Sequence, residues 1–212
     1  MVMILLVKFS AGNFLHKTCA EMRRTMKIST KTIATVGMFT AVLSVLSILT
    51  IPMPTGVPVT LQTFAMALCG YVLGTKRGTA STVLYILLGT VGVPVFAGMT
   101  GGPSWLAGYS GGFIWGFIFL TLFCAIGMKQ KNVALRIAFG IIGLAICHLL
   151  GVIQFAIVAS TSLPASFVAV SVPYIVKDVI SVVGAYLVAL PVRKALFASN
   201  LLENTVKTQQ TA

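Results

Sequence analysis

The sequence predicts an all-α integral membrane protein of six transmembrane helices, and three observations support this fold class. Of its 212 residues, 58% are hydrophobic and only 8% are charged, whereas ordinary globular proteins have about 25% charged residues. Apolar runs follow one another with short connections, and a membrane-spanning helix needs roughly 20 such residues. The basic residues fall in alternate connections. We therefore expect a multi-pass protein of the cell membrane, with lipid as its solvent.

Six apolar segments follow residue 31, and turn signals separate them. The expected spans are 32–50, 60–74, 79–92, 111–128, 134–158 and 167–190. The first ends at the Pro-rich stretch IPMPTGVPVT, and the loop TKRG at 75–78 divides the second from the third. Proline and glycine favour turns, so these stretches are expected between helices.

The distribution of Lys and Arg predicts that both termini are cytoplasmic. The loops 51–59, 93–110 and 159–166 contain no charge. Because cytoplasmic loops are enriched in Lys and Arg, the uncharged loops are expected on the outer side, and the number of spans is even. The basic residues that define this alternation are Arg23, Arg24, Lys27, Lys31, Lys76, Arg77, Lys129, Lys131, Arg136, Arg193 and Lys194.

The predicted membrane domain covers 27–196, between a basic N-terminal tail at 1–26 and a C-terminal cytoplasmic tail at 197–212. The N-terminal tail begins with a short apolar run whose basic flank comes after it, the reverse of a signal peptide. Two interpretations of the tail stay open. It is either a cytoplasmic amphipathic segment or an extension upstream of a natural start at Met26.

Composition and spacing argue against several function classes. The net charge is +12, but the basic residues are scattered and do not form the stripe that nucleic-acid binding requires. The four cysteines show no metal-ligand or disulfide spacing, and no cofactor is expected. The Gly-rich loop lacks the G-K-[ST] of a phosphate-binding loop. Since no catalytic grouping is visible, ligand binding is favoured over chemistry.

One charged pair, Lys177 and Asp178, lies inside the sixth predicted span. Asp178 is the only acidic residue between Glu21 and Glu203. Ionisable groups at membrane depth cost about 3 kcal/mol or more, so they usually face a cavity or a partner. Adjacent helical residues point about 100° apart, so we expect these two to pair poorly with each other. The alternative is mutual neutralisation, with the lysine snorkelling outward.

Other features suggest what surrounds this pair. Pro173 removes a helical hydrogen bond and predicts a break whose carbonyls line a cavity. The loop 93–110 offers the other wall through its glycines and through Thr100, Trp105, Tyr109 and Ser110. Gln62 is either a ligand-facing group or a capping or interfacial residue. His148, in span five, is interpreted as a hydrogen-bond partner between helices.

Small residues form a stripe on one face of the first span, at Ala34, Gly37, Ala41 and Ser44. Such stripes let another helix approach closely within a bilayer. The pattern fits either packing inside the chain or docking of a separate protein.

Four segments resemble the BioY family, the biotin-binding S subunits of energy-coupling factor (ECF) transporters. They are PMPTGVPVTLQTFAMALCGYVLGTKRG at 52–78, LLGTVGVPVFAGMTGG at 87–102, GYSGGFIWGF at 108–117 and VPYIVKDVIS at 172–181. Their order and spacing match the family over nearly all of 27–196. The resemblance implies a six-helix ECF S component that binds biotin in an outward-facing cavity. It would dock, largely through helix one, onto a membrane coupling protein driven by two ATPases.

The resemblance also implies residue roles. Asp178 matches an aspartate that pairs with the ureido ring of biotin, and Thr100 stands where some members have asparagine. Ala34, Gly37 and Ala41 match an Ala-x-x-x-Ala docking face, with Gly37 replacing one alanine. The expected ligand-binding residues are Asp178, Lys177, Thr100, Gly101, Gly102, Tyr109, Gln62 and Trp105. Loop 51–59 is expected to act as a lid, because its prolines and Gly56 make a defined turn.

Two departures from the family concern the carboxylate of biotin. Ile114 stands where some members have arginine, and Ser181 stands where many have lysine, so Lys177 is the remaining candidate for that charge. Three alternatives stay open: an S subunit for a different small vitamin, a small polytopic membrane enzyme that uses Asp178 and His148, and a purely structural membrane subunit.

Overall fold

The structure is a computed structural model that describes residues 29–202. Within this range the chain has seven helices and one two-stranded antiparallel hairpin. The helices are α1 (Thr30–Ile48), α2 (Gln62–Val91), α3 (Ser104–Ala107), α4 (Gly111–Gly127), α5 (Val133–Ala159), α6 (Leu163–Val170) and α7 (Val172–Ala198), and the strands are β1 (Thr50–Ile51) and β2 (Val59–Thr60). The predicted N-terminal tail and Glu203 lie outside the described residues.

The chain divides into two compact units, residues 1–33 and 34–212. In the first unit, the described residues include the start of α1, where the amides of Thr32 and Ile33 donate to the carbonyl of Ser29. The cavity and the packing contacts given below lie in the second unit.

Helix α2 is two antiparallel halves joined at Gly74, whose φ of 77° and ψ of −172° are not helical. In a continuous helix, residues 62 and 85 would lie about 34 Å apart, at 1.5 Å per residue. Here Nε2 of Gln62 donates to Oη of Tyr85 at 2.8 Å. The predicted division of 60–92 into two helices is therefore confirmed. The prediction of a loop at TKRG, 75–78, was wrong, because these residues are helical. The turn is made by the single residue Gly74, since glycine reaches positive φ at no steric cost.

An arginine from α7 caps the broken helix. The last carbonyls of a helix lack intrahelical partners, and the break at Gly74 creates such an end. The Nη1 atom of Arg193 donates to the carbonyls of Tyr71 and Val72, both at 3.1 Å. Its guanidinium also lies 5.1 Å from the ring centroid of Phe197. This contact fixes α7 against the turn of α2.

Helix α4 packs closely on both α2 and α5 because glycines remove side chains from the contacts. A Cβ atom at Gly70 would lie 2.3 Å from the carbonyl oxygen of Thr121, and one at Gly112 would lie 2.2 Å from that of Leu150. The hydroxyls of Thr82 and Thr121 lie 2.9 Å apart, within hydrogen-bond distance. Small residues and buried hydroxyls are typical of helix contacts within bilayers.

The outer faces of the helices are apolar, as expected for contact with lipid. Large hydrophobic side chains on several helices are more than half exposed, among them Val45, Leu149, Ile157 and Leu187. Three helices, α1, α5 and α7, are each long and apolar enough to cross a membrane, and α4 is a shorter apolar helix. With the halves of α2, the described residues contain the six helical segments predicted. These features support a location in the membrane, while several crossings and their count of six stay predictions.

The sixth predicted span, 167–190, differs most from the structure. A short α6 ends at Val170, and α7 runs from Val172 to Ala198. The break therefore lies at Ser171 and not at Pro173. Pro173 occupies the first turn of α7, where a missing N–H costs nothing because that group has no helical partner. The fourth and fifth spans agree with α4 and α5 to within one residue.

We predict that Arg193→Ala lowers the melting temperature of the detergent-purified protein by about 4–8 °C. The lost charged hydrogen bonds are worth roughly 2 kcal/mol, and 1 kcal/mol shifts the melting temperature by about 2–4 °C in a chain of this size. The matched control is Lys194→Ala, which removes an exposed neighbour and should change the melting temperature little. Equal effects of the two substitutions, measured by thermal unfolding, would contradict the capping role.

Candidate ligand-binding cavity

A cavity lies between the N-terminal ends of α2, α4 and α7, the C-terminal half of α5, and the β1–β2 hairpin. Its lining is mostly apolar and aromatic, with a few polar groups, as ligand sites usually are. The cavity is lined by Val57, Pro58, Thr60, Gln62, Thr63, Phe96, Ala97, Trp105, Ser110, Phe113, Ile114, Phe117, Leu144, Cys147, His148, Val170, Tyr174, Lys177 and Asp178.

Asp178 is the buried anion of this cavity, with 5% of its surface exposed. Its Oδ1 atom lies 2.5 Å from Nζ of Lys177, and its Oδ2 atom lies 3.2 Å from Nε2 of His148. The ammonium and the imidazole compensate the charge of the carboxylate. Because an ionised carboxylate has about four acceptor sites, it can still accept further hydrogen bonds.

The prediction that Lys177 and Asp178 pair poorly was wrong. The Lys177 ammonium also donates to the carbonyl of Thr60 at 3.0 Å, which draws the side chain across the helix surface toward the hairpin. Four methylene groups give lysine enough reach to bring its ammonium beside the neighbouring carboxylate. The ion pair thus depends on the position of β2 and not on the helix alone.

His148 joins α5 to the start of α7. Its Nδ1 atom lies 2.9 Å from Oγ of Ser171, and its ring meets that of Phe113 edge to face, with centroids 5.7 Å apart. Because an ionised carboxylate only accepts hydrogen bonds, Nε2 donates to Asp178, and in the neutral ring Nδ1 accepts from Ser171. This geometry agrees with the predicted contact between helices. His148 also lines the cavity, a position that its sequence pattern does not indicate.

Gln62 connects the hairpin to α2 from a buried position. Its Oε1 atom accepts a hydrogen bond from Oγ1 of Thr60 at 3.2 Å, and its Nε2 atom donates to Tyr85. Only 8% of the residue is exposed, so it is not an interfacial residue. The side chain lines the cavity with both polar atoms already partnered.

The β1–β2 hairpin is attached to the cavity wall by Tyr174. The hydroxyl of Tyr174 donates to the carbonyl of Val57 and lies 3.4 Å from Oγ1 of Thr55. At the turn, Gly56 has a φ of 76°, and a Cβ atom there would lie 3.3 Å from the ring of Tyr109. The segment 51–59 is thus placed beside the cavity, and its action as a lid stays a prediction.

The structure brings half of the predicted ligand-binding residues to the cavity. Asp178, Lys177, Gln62 and Trp105 line it. The other four, whose part in binding stays a prediction, are not in the lining: Thr100, Gly101, Gly102 and Tyr109.

The first three of these residues hold the loop that forms the wall. The Oγ1 atom of Thr100 donates to the carbonyl of Ala97 at 2.8 Å, and the Thr100 carbonyl accepts from the amide of Phe96. The amide of Gly102 donates to the carbonyl of Gly89 at 2.7 Å, and Gly101 lies so close to Val93 that a Cβ atom would not fit. They thereby position Phe96 and Ala97, which do line the cavity.

Tyr109 lies at a second, more open depression. This depression is lined by Gly56, Ser104, Trp105, Gly108, Tyr109 and Ser110. Trp105 and Ser110 also line the cavity. The Oγ atom of Ser110 is buried without a hydrogen-bond partner, at the boundary between the two spaces.

Several lining residues had no distinguishing signal in the sequence. They include Phe96, Phe113, Phe117, Leu144, Cys147 and Tyr174. Aromatic and aliphatic residues at these spacings are equally typical of a core, because a pattern of apolar residues does not show which of them face a space. In the sequence, Ile114 is distinguished only as a departure from a family pattern. In the structure it lines the cavity with 3% of its surface exposed.

Comparisons with known proteins agree with one another. The profile of the BioY family matches residues 21–198. The biotin transporter BioY of Thermotoga maritima is 40% identical over 161 residues, which cover 74% of this chain and 93% of the relative. The probable biotin transporter BioY of Pyrococcus horikoshii is 32% identical over 159 residues, which cover 75% of this chain and 94% of the relative.

One solved structure has the same fold. It is the crystal structure of the S-component for biotin from an ECF-type ABC transporter, with a TM-score of 0.72 and 24% identity. The match covers 79% of this chain and 95% of that chain.

We predict a coupling of about 1–3 kcal/mol between His148 and Asp178 in a double-mutant cycle of thermal stability. His148→Phe removes a hydrogen bond to a charged, buried oxygen, a contact worth about 1.5–3 kcal/mol. In the Asp178→Asn background the same substitution should cost less, because the charge is gone. Additive effects of the two substitutions would contradict the coupling.

Proposed function

Because the chain belongs to the BioY family, we propose that it is the biotin-binding S subunit of an ECF-type transporter and acts in biotin uptake across the cell membrane. The relatives are named as transporters, so the chain is a transport protein and not an enzyme, even though Asp178 and His148 meet. The observation that carries the choice of ligand is the buried carboxylate of Asp178, which lines the cavity and whose Oδ1 atom can accept a hydrogen bond besides its contact with Lys177.

The ureido ring of biotin is chemically complementary to this oxygen. The ring has two N–H donors and one carbonyl acceptor. The two N–H bonds point to opposite sides of the ring, so an ionised carboxylate accepts one of them. Charge-assisted hydrogen bonds are roughly twice as strong as neutral ones. His148 holds the other oxygen of the carboxylate and Lys177 holds Oδ1 itself, so the acceptor is oriented before the ligand arrives.

The apolar walls suit the remainder of the ligand. Biotin has a fused thioether ring and an aliphatic chain, and sulfur makes favourable contacts with aromatic rings. Trp105, Phe113 and Phe117 supply aromatic surface, and Ile114 supplies aliphatic surface. In this proposal Thr100, Gly101 and Gly102 act through the loop they hold, and Tyr109 acts at the hairpin.

The small-residue stripe is proposed to dock the coupling protein that two ATPases drive. Ala34, Gly37 and Ala41 are all exposed, and no atom lies within 4 Å of a Cβ atom built at Gly37. Within the described residues, packing inside the chain therefore does not account for the stripe. A helix of a partner could approach this face closely.

The orientation follows from the same proposal. The cavity lies at the N-terminal ends of α2, α4 and α7, whereas Lys76 and Arg77 lie just after the turn of α2, and Lys129 and Lys131 follow α4. With the basic ends in the cytoplasm, the cavity faces outward and both termini face inward.

We predict that Asp178→Asn weakens equilibrium binding of biotin to the detergent-purified chain by about 10–100-fold. The amide lacks the charge and presents a donor toward the ureido N–H groups, and a loss of about 1.4–2.8 kcal/mol corresponds to that factor. Titration calorimetry measures it directly. Ser181→Ala, on the same helix but outside the cavity lining, is the matched control and should bind biotin normally. Unchanged binding by Asp178→Asn would sink the proposed anchor.

We predict that Gly37→Trp disrupts assembly with the coupling protein while leaving biotin binding intact. The indole would hold a docking helix away from the stripe, whereas the cavity lies on other helices. Co-purification of the coupling protein and ATPases with the tagged chain measures assembly. The control is Leu187→Trp, which places the same group on an exposed position of α7. If Gly37→Trp still co-purifies as the unmodified chain does, the docking face lies elsewhere.

A further inference from the structure

The cavity contains one cation, and that cation is already engaged. Among the described residues, Lys177 is the only Lys or Arg in the lining. Its ammonium lies 2.5 Å from Oδ1 of Asp178 and 3.0 Å from the carbonyl of Thr60. The other Lys and Arg residues that the structure describes lie outside the lining.

The position of Lys177 matters because of the shape of biotin. An extended five-carbon chain separates the ring from the carboxylate by about 6 Å, at bond lengths of ~1.5 Å. If the ureido ring binds at Oδ1 of Asp178, the carboxylate lies at the far end of the ligand. An ammonium that touches the same oxygen as the ring cannot also reach that end. The expectation that Lys177 binds the carboxylate therefore conflicts with this geometry.

We infer that this site, if its ligand is biotin as proposed above, recognises its ligand through the ureido ring and also binds molecules in which the carboxylate end of the tail is uncharged. A carboxylate buried without a partner would be costly, so the tail points to the boundary formed by Trp105 and Ser110. Beyond it lies the more open depression, whose lining has no charged side chain. The ligand class is then biotin together with its esters and amides, in which the tail carries no charge.

The test compares biotin with biotin methyl ester and biotin amide on the unmodified, detergent-purified chain. Competition against labelled biotin should give dissociation constants for the three that agree within about threefold. Neutral-tail ligands that bind at least tenfold more weakly than biotin would overturn the inference and leave the proposed function standing. If biotin itself does not bind, the proposed function fails and the inference fails with it.

A variant separates the role of Lys177 from that of the tail. Lys177→Met removes the ammonium that pairs with Asp178. Because this changes only the site of the ureido ring, the dissociation constants of biotin and of the methyl ester should change by the same factor. The ratio of the two dissociation constants is therefore expected to stay constant. A selective loss of biotin affinity, with the ester unaffected, would show that Lys177 holds the carboxylate and would overturn the inference.

Discussion

A carboxylate at membrane depth must be compensated, and the cavity of this protein is organised around that requirement. Asp178 is 5% exposed, and an unpaired charge there would be costly. Lys177 supplies the opposite charge and is itself positioned by Thr60, while His148 supplies a hydrogen bond and is itself held by Ser171. The contacts that compensate the charge therefore join β2, α5 and α7 around the Asp178 side chain. The same carboxylate is the proposed acceptor for the ligand, so in this proposal stability and recognition depend on the same contacts.

Close helix packing makes this arrangement possible. The reversal at Gly74 brings Gln62 to Tyr85 and places the start of α2 beside the hairpin, and Arg193 satisfies the carbonyls that the reversal frees. Gly70 and Gly112 let α4 approach its two neighbours to distances at which a Cβ atom would clash. Without a hydrophobic driving force between helices in lipid, such contacts supply the specificity of packing. The cavity and its charged pair are thus held by a tightly packed bundle.

The sequence predicted the helices well because composition and charge alternation act over long windows. It also predicted that Asp178 faces a cavity, since a lone acidic residue in an apolar run is a strong signal. Its role in ligand binding stays a prediction. The sequence did not predict the one-residue turn at Gly74, because the TKRG motif gave a stronger turn signal than a single glycine. It missed the pairing of Lys177 with Asp178, because that contact depends on Thr60, 117 residues away. Thr100, Gly101 and Gly102 lie behind the cavity lining because of their loop contacts, and no local pattern distinguishes a lining position from one behind it. Their part in ligand binding stays a prediction.

The central claim is that the Asp178 carboxylate binds the ureido ring directly. Solid-state NMR of the membrane-embedded chain, with ¹⁵N in the ureido group of biotin and ¹³C in the carboxylate of aspartate, measures the distance between the two. A charge-assisted hydrogen bond of about 2.8 Å between nitrogen and oxygen predicts a nitrogen-to-carbon distance of roughly 3.5 Å, and the signal should disappear in Asp178→Asn. A bound ligand whose nitrogens lie more than about 6 Å from that carbon, a separation too great for a direct hydrogen bond, would contradict the claim.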